Sequence, residues 1–219
     1  MRIGIIGAGN IGGNLTRRLT ALGHDVAVAN SRGPQTLGDL VAATGARAVP
    51  VDQAAKGAEL VIVSIPLKNI PALSAGLLDS AAPDAVIVDT SNYYPRQRDG
   101  RIADIEDGKT ESRWVSDHLN RPVVKVFNGI YSEHLLTDGR PAGAHDRRAL
   151  PVAGDDSAAK ATVIALLDEL GFDGVDAGSI DESWRQQPGT PAYGASADAA
   201  GIRRLLVEAP AERPADFRA

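Results

Sequence analysis

Residues 2–13 of the chain, RIGIIGAGNIGG, contain the pattern that decides the fold. A short apolar run ends at Gly7, and Gly9 and Gly12 complete a G-x-G-x-x-G motif ahead of a segment with helical periodicity. In a strand–turn–helix unit the first glycine allows the tight turn, the second lets a pyrophosphate approach the backbone, and the third lets helix and strand pack closely. In this context the motif predicts a dinucleotide-binding unit; a glycine-rich turn without a ligand is the alternative.

Apolar strands alternate with amphipathic segments through residue 89. The predicted strands after the first are DVAVAN (25–30), ARAVPV (46–51), ELVIVSIP (59–66) and AVIVD (85–89). The third of these is almost continuously apolar, as expected for a central parallel strand that is buried on both faces. Apolar residues between positions 70 and 78 predict a further helix. The alternation predicts an α/β fold with a Rossmann-type, doubly wound parallel sheet.

The second half of the chain is less regular. Residues 96–113 are polar and charged and predict a surface excursion, and residues 128–149 predict a long loop. Two strands around a helix that begins near Asp156 predict a small C-terminal α/β domain, and the Pro-rich end, residues 210–219, predicts a frayed tail. We therefore divide the chain into a Rossmann domain, residues 1–121, and a small C-terminal domain, residues 122–219.

The stretch VANSRGP, residues 28–34, follows the second predicted strand. NAD-selective sites carry an Asp or Glu there, which binds the ribose 2'-hydroxyl and would repel a 2'-phosphate. Asn30 removes that repulsion, Ser31 can donate a hydrogen bond, and Arg32 offers a planar pair of donors that suits a phosphate. The stretch predicts an NADP site; the alternative is a turn residue and a surface arginine before a Pro-initiated helix.

Two later loops should continue this site, because ligands of open α/β sheets lie beyond the carboxyl ends of the strands. Ser64 and the Ile65-Pro66 turn could pack against the adenosine or ribose, unless the strand simply ends at a proline. Ser91 and Asn92 could hydrogen-bond a nicotinamide amide or a substrate, and a plain Asx-type turn is the alternative.

The composition excludes several classes of site. The 219 residues carry a net charge of -5, which argues against a nucleic-acid partner, and there is no cysteine for a disulfide, a thiolate zinc site or a nucleophile. The four histidines lack metal-ligand spacing, so no metal is expected. The start of the chain does not read as a signal peptide and no segment reaches membrane-spanning length, so we expect a cytoplasmic protein without a membrane partner.

Several motifs together resemble a known family. GIIGAGNIGGNL, NSRGP, VSIP, DTSN and VVKVFN occur in the order found in the NADPH-dependent reductases of the 8-hydroxy-5-deazaflavin coenzyme F-420, and the resemblance covers most of the chain. It implies a Rossmann domain, a small C-terminal domain, NADP as the cofactor, a hydride acceptor in the cleft between the domains, and a homodimer as one assembly. The implied contacts are the pyrophosphate at Gly9, Asn10, Ile11 and Gly12, the 2'-phosphate at Ser31 and Arg32, the nicotinamide-side wall at Ile65-Pro66, and the cleft at Phe127-Asn128.

No acid–base triad is recognisable, in keeping with hydride transfer between stacked rings, which requires positioning more than proton transfer. If a proton donor is needed, the candidates are Lys125 and Tyr93 or Tyr94, with Asn128 beside the cleft. Lys125 has apolar neighbours on a predicted strand, so its ammonium needs a partner, and a structural ion pair is the alternative role.

The sequence thus predicts an enzyme, an NADP-dependent oxidoreductase that passes hydride to a small-molecule acceptor, either coenzyme F-420 or a flavin-like ring. The segments that should border the acceptor, residues 128–149 and 186–194, carry no motif that identifies it. A reductase of a small imine or carbonyl substrate, or of a metal chelate, is one alternative. A non-catalytic NADP sensor that binds a protein partner is another.

Overall fold

Six parallel strands form a large sheet in the computed structural model, which describes residues 1–219. In chain order they are β1 (Arg2–Ile6), β2 (Asp25–Ala29), β3 (Arg47–Ala48), β4 (Leu60–Val63), β5 (Val86–Asp89) and β6 (Val124–Lys125). Across the sheet the order is β3-β2-β1-β4-β5-β6, and each neighbouring pair is parallel. The winding direction reverses between β1 and β4, which confirms the predicted Rossmann-type α/β fold.

Helices cover both faces of this sheet. They are α1 (Asn10–Ala21), α2 (Gly38–Thr44), α3 (Ala103–Glu106), α4 (Glu111–Leu119), α5 (Ser132–Thr137), α6 (Ser157–Glu169) and α7 (Ala199–Val207). Alternate strand residues point to opposite faces: Ile5 packs with Leu15 of α1 in one apolar cluster, and Ile6 packs with Trp114 of α4 in another. None of these helices combines the length and the hydropathy that crossing a membrane requires.

A second, two-stranded parallel sheet consists of β7 (Ala149–Val152) and β8 (Asp173–Asp176), with α6 between them in the chain. An antiparallel bridge between Lys125 and Ala153 joins it to the large sheet. Phe172, just before β8, lies in the same apolar cluster as Ile5, so the two sheets share one core. The domain boundary placed after residue 121 falls directly before β6, which is a strand of the large sheet.

Three segments differ from expectation. Residues 70–78, predicted as a helix, contain only the end of a 3-10 helical segment, Leu67–Ala72. Residues 96–113 are not a surface excursion, because they include α3 and the start of α4, where Glu111 is fully buried. Helix α5 lies within residues 128–149, which were expected to form a loop. In each case local composition was a poor guide because packing against a distant element determines the structure.

The C-terminal tail, residues 210–219, is docked and not frayed. Arg213 Nη1 donates to Glu111 Oε1 at 2.9 Å, and Nη2 donates to Gln187 Oε1 at 2.9 Å. The ring of Phe217 covers Gly189, where an added Cβ would lie 2.6 Å from it. These contacts hold the tail, and Arg213 supplies a cationic partner to the buried carboxylate of Glu111.

Candidate functional site

The glycine turn after β1 leaves open space at one of its three motif positions. Gly7 has a φ of +110°, and a Cβ there would lie 2.1 Å from the carbonyl oxygen of Ser64. A Cβ on Gly12 would lie 1.9 Å from the carbonyl oxygen of Gly7. A Cβ on Gly9 would meet no heavy atom within 4 Å. Gly7 and Gly12 are therefore required by the packing of helix on strand, whereas the space at Gly9 is free for a ligand.

Helix α1 begins at this turn with amide groups that no side chain caps. Gly9 is the N-cap residue, and the first turn contains no acidic side chain. The first N–H groups of a helix lack intrahelical acceptors and carry partial positive charge. Asn10, Ile11 and Gly12 supply these amides, so the predicted pyrophosphate position coincides with a helix end that suits an anion.

The loop after β2 is shaped by the side chain of Asn30. Its Oδ1 accepts from the N–H of Arg32 at 3.0 Å, and its Nδ2 donates to the hydroxyl of Thr36 at 2.9 Å. Ser31 and Arg32 follow in the turn with exposed side chains, and neither side chain has a hydrogen-bond or ion-pair partner in the protein. Asn30 is thus a turn residue, and the turn that it stabilises presents a hydroxyl and an unpaired guanidinium.

A cavity of about 660 Å³ lies at the carboxyl ends of β1, β2 and β4. Its lining includes the predicted residues Gly7, Gly9, Asn30, Ser31, Arg32, Ser64, Ile65 and Pro66. It also includes residues that the sequence analysis missed: Val51, Asn69, Ala72, Leu73 and Ser74. Val51 could have been found from its place at the end of the third predicted strand. Asn69 directly precedes the segment that was predicted as a helix, and Ala72, Leu73 and Ser74 lie within it. The roles of all these residues as cofactor ligands stay predictions.

The loop after β5 is organised by Asp89, which is fully buried. Its Oδ1 accepts from the N–H of Ser91 at 2.9 Å and from the Ser91 hydroxyl at 2.7 Å, and its Oδ2 accepts from the Ser112 hydroxyl at 2.6 Å. The Asx-type turn that the sequence left open is therefore present. Ser91 directs its hydroxyl to Asp89, and with 4% of its surface exposed it does not line the cavity.

Lys125 lies in a buried network of charges. Its Nζ donates to the carbonyl oxygen of Ser91 at 2.6 Å and lies 3.6 Å from Asp89 Oδ2 and 3.5 Å from Glu111 Oε2. The side chains of Lys125, Asp89 and Glu111 are all fully buried, and Arg213 supplies a second cation to Glu111. Of the two roles that the sequence left open for Lys125, the structure shows the ion pair. No group of three or more acidic or histidine side chains is placed to hold a metal ion.

Two of the remaining candidates for proton transfer, Tyr93 and Asn128, also have protein partners. Tyr93 is fully buried, its hydroxyl accepts from the N–H of Ile102 at 2.9 Å, and burial raises its pKa. Asn128 is 5% exposed, and its Nδ2 donates to Gln186 O at 2.8 Å and to Asn92 Oδ1 at 3.1 Å. Tyr93 thus ties the loop after β5 to the segment before α3, and Asn128 connects the loops after β5 and β6 with the segment around Gln186.

A cluster of polar side chains lies at the edge of the sheet beyond β5 and β6. Tyr94 and Tyr193 share a hydrogen bond between their hydroxyls, and we call these two residues the tyrosine pair. Asn92 Nδ2 lies 3.5 Å from the Tyr193 hydroxyl and donates to Asn128 O at 2.9 Å. Asn92 and both tyrosines are half-buried. Residues 186–194 were expected to border the acceptor, but Tyr193 was not singled out, because nothing in QQPGTPAYG indicates that this side chain reaches the end of β5.

The comparisons with known proteins agree with this architecture. The sequence model of the family described as NADP oxidoreductase, coenzyme F-420-dependent, matches residues 2–93. The crystal structure of SMa0349, a Sinorhizobium meliloti protein without an assigned function, is 30% identical, with a TM-score of 0.74 over 90% of this chain and 95% of that one. A structure from Arthrobacter sp. FB24, named as an F-420-dependent NADP reductase, is 27% identical, with a TM-score of 0.70 over 84% of this chain and 87% of that one.

Curated proteins are matched over only part of their own length. The Escherichia coli protein YjhV is 48% identical over 101 residues, which are 46% of this chain and 61% of that protein. The chain spans less than two thirds of the length of the curated relatives that it matches.

Proposed function

Because the chain belongs to the NADP oxidoreductase, coenzyme F-420-dependent family, we propose that it transfers hydride between NADP(H) and a deazaflavin or flavin-like acceptor. The observation that carries this proposal is the cavity beyond β1, β2 and β4. Free space at Gly9 and the unpaired guanidinium of Arg32 lie in the same lining. The first suits a pyrophosphate and the second suits a 2'-phosphate, so the cavity matches NADP better than NAD.

The side chains and amides of this chain would bind and orient the cofactor. The amides at the start of α1 would hold the pyrophosphate, Ser31 and Arg32 the 2'-phosphate, and Ile65-Pro66 would form a wall on the nicotinamide side. Bound NADPH supplies the hydride. The polar groups after β5 and β6 lie next along the same edge of the sheet, where the acceptor would have to meet it.

The acceptor can be identified by mixing the protein with NADPH and one acceptor at a time, and following absorbance at 340 nm. We expect NADPH oxidation with coenzyme F-420 or FMN. Turnover with a ferric chelate or a small imine alone would contradict the proposed acceptor class and favour a different reductase. Tight NADPH binding without turnover on any acceptor would favour a non-catalytic sensor.

Arg32→Ala should weaken NADPH binding about 10- to 150-fold, because a charge-assisted hydrogen bond to phosphate contributes roughly 1.5–3 kcal/mol. NADH lacks the 2'-phosphate, so its dissociation constant should hardly change. Titrations that follow the fluorescence of each reduced cofactor measure both constants.

Arg17 provides the matched control, because it is an exposed arginine on α1 that does not line the cavity. Arg17→Ala changes the net charge by the same amount and should leave NADPH affinity at the wild-type value. An equal loss of NADH and NADPH binding in Arg32→Ala would contradict the 2'-phosphate assignment.

A further inference from the structure

The tyrosine pair has one hydroxyl proton more than its protein contacts use. Each tyrosine hydroxyl carries one proton, and the bond between the two hydroxyls uses one of them. Asn92 approaches the pair as a donor, so it does not accept the second proton. No other acceptor in the protein takes it. One proton of the pair is therefore available to a group outside the protein.

The pair is a donor that keeps its proton at neutral pH. Burial and the bond with Tyr94 raise the pKa of Tyr193 above its usual range. A hydroxyl of this kind donates a hydrogen bond to a carbonyl oxygen or a ring nitrogen but does not release its proton. It suits a ligand whose edge carries such an acceptor atom.

An exposed aromatic ring lies beside the pair. Tyr131 is 61% exposed, and its hydroxyl lies 3.4 Å from the position that a Cβ would take on Gly194, the residue after Tyr193. His134 meets the Tyr131 ring edge-on, with 5.5 Å between ring centroids, which helps to fix its orientation. An exposed, oriented ring is a surface on which a flat heteroaromatic ligand can stack.

The position of this cluster points to the hydride acceptor. Asn92 and Tyr94 follow β5, which lies next to β4, and the end of β4 carries Ser64 and Pro66 in the cofactor cavity. We propose that the tyrosine pair and Tyr131 bind the acceptor: an oxygen or nitrogen on the edge of a planar heteroaromatic ring accepts from the pair, and the ring face lies against Tyr131. This inference rests on the proposed function, because it needs NADPH in the neighbouring cavity.

Fluorescence-quenching titrations with coenzyme F-420 and with FMN test the inference, and NADPH titrations are run in parallel. The double variant Tyr94→Phe/Tyr193→Phe removes the free proton and should bind both acceptors about 2- to 13-fold more weakly. Each single variant keeps one hydroxyl proton and should lose less. NADPH affinity should stay at the wild-type value in all of them, which also shows that the variants are folded.

Two substitutions at Tyr131 separate the contribution of ring stacking to acceptor binding from that of hydrogen bonding. Tyr131→Leu should weaken acceptor binding about 2- to 13-fold, whereas Tyr131→Phe keeps the ring and should match the wild type. Wild-type acceptor affinity in the double variant would overturn the inference. If the double variant lost NADPH affinity as much as acceptor affinity, the inference would also be overturned, because the pair would then belong to the cofactor site. A wild-type protein that binds NADPH but neither acceptor would overturn the proposed acceptor class as well.

Discussion

Replacing Lys125 with methionine should lower the free energy of unfolding by about 3–5 kcal/mol. The ammonium lies 3.6 Å from Asp89 Oδ2 and 3.5 Å from Glu111 Oε2, and all three side chains are fully buried. Methionine keeps most of the side-chain volume and removes the charge. The buried carboxylate of Asp89 would then have no cationic partner, and that of Glu111 would keep only the guanidinium of Arg213. An uncompensated buried charge is costly. Denaturation with urea, extrapolated to water, measures the loss.

Two further variants separate the charge effect from packing. Lys125→Met/Glu111→Gln removes one carboxylate charge together with the ammonium, so it should recover part of the loss. Lys160 pairs with Asp176 at 2.7 Å, but 57% of the Asp176 side chain is exposed. Lys160→Met should therefore cost no more than about 1 kcal/mol. The single variant Glu111→Gln completes the comparison. If the losses in Lys125→Met and Glu111→Gln simply added in the double variant, the two charges would not stabilise one another.

Gly7→Ala should lower the free energy of unfolding by about 2–6 kcal/mol and remove tight NADPH binding with it. The φ of +110° strains any residue with a Cβ, at a cost of roughly 1–3 kcal/mol. The new methyl would also lie 2.1 Å from the carbonyl oxygen of Ser64 and 2.8 Å from Ile65 Cγ2, and relief of this overlap costs about 1–3 kcal/mol more. Thermal or urea unfolding measures the first effect.

Gly9→Ala is the matched control two residues away. Gly9 has a φ of -76°, which alanine adopts easily, and its Cβ would meet no protein atom within 4 Å. The free energy of unfolding of Gly9→Ala should stay within about 0.5 kcal/mol of the wild-type value. NADPH should bind about 5- to 150-fold more weakly, because the methyl would occupy the space in which the pyrophosphate approaches the backbone. Wild-type NADPH affinity in Gly9→Ala would contradict this placement of the pyrophosphate.

The cofactor side of the molecule could be predicted because its signals are local. The glycine turn, the apolar strands and the loop at Asn30 each depend on neighbours within a few residues, and the structure brings them to one cavity. Residues 70–78 show the limit of such signals. Their apolar residues recur at helical spacing because several are buried, and burial does not require a helix.

The acceptor side and the buried charges could not be predicted in the same way. Glu111 sits in a polar segment with no sign that it is buried, and its partners Lys125 and Arg213 come from β6 and from the C-terminal tail. Tyr193 meets Tyr94 across 99 positions of the chain. Such contacts depend on how distant segments pack, which composition and periodicity do not encode.

By itself, the sequence determined the parallel sheet, the place of the glycine turn and the lack of an acidic residue at position 30. Each of these follows from the conformational freedom, the apolar character or the charge of a few adjacent residues. The tertiary structure decided that Lys125 is a buried counter-ion and that Tyr193 reaches the end of β5. Ion pairs and hydroxyl contacts are set by distances between side chains, and only the packed core brings those side chains together.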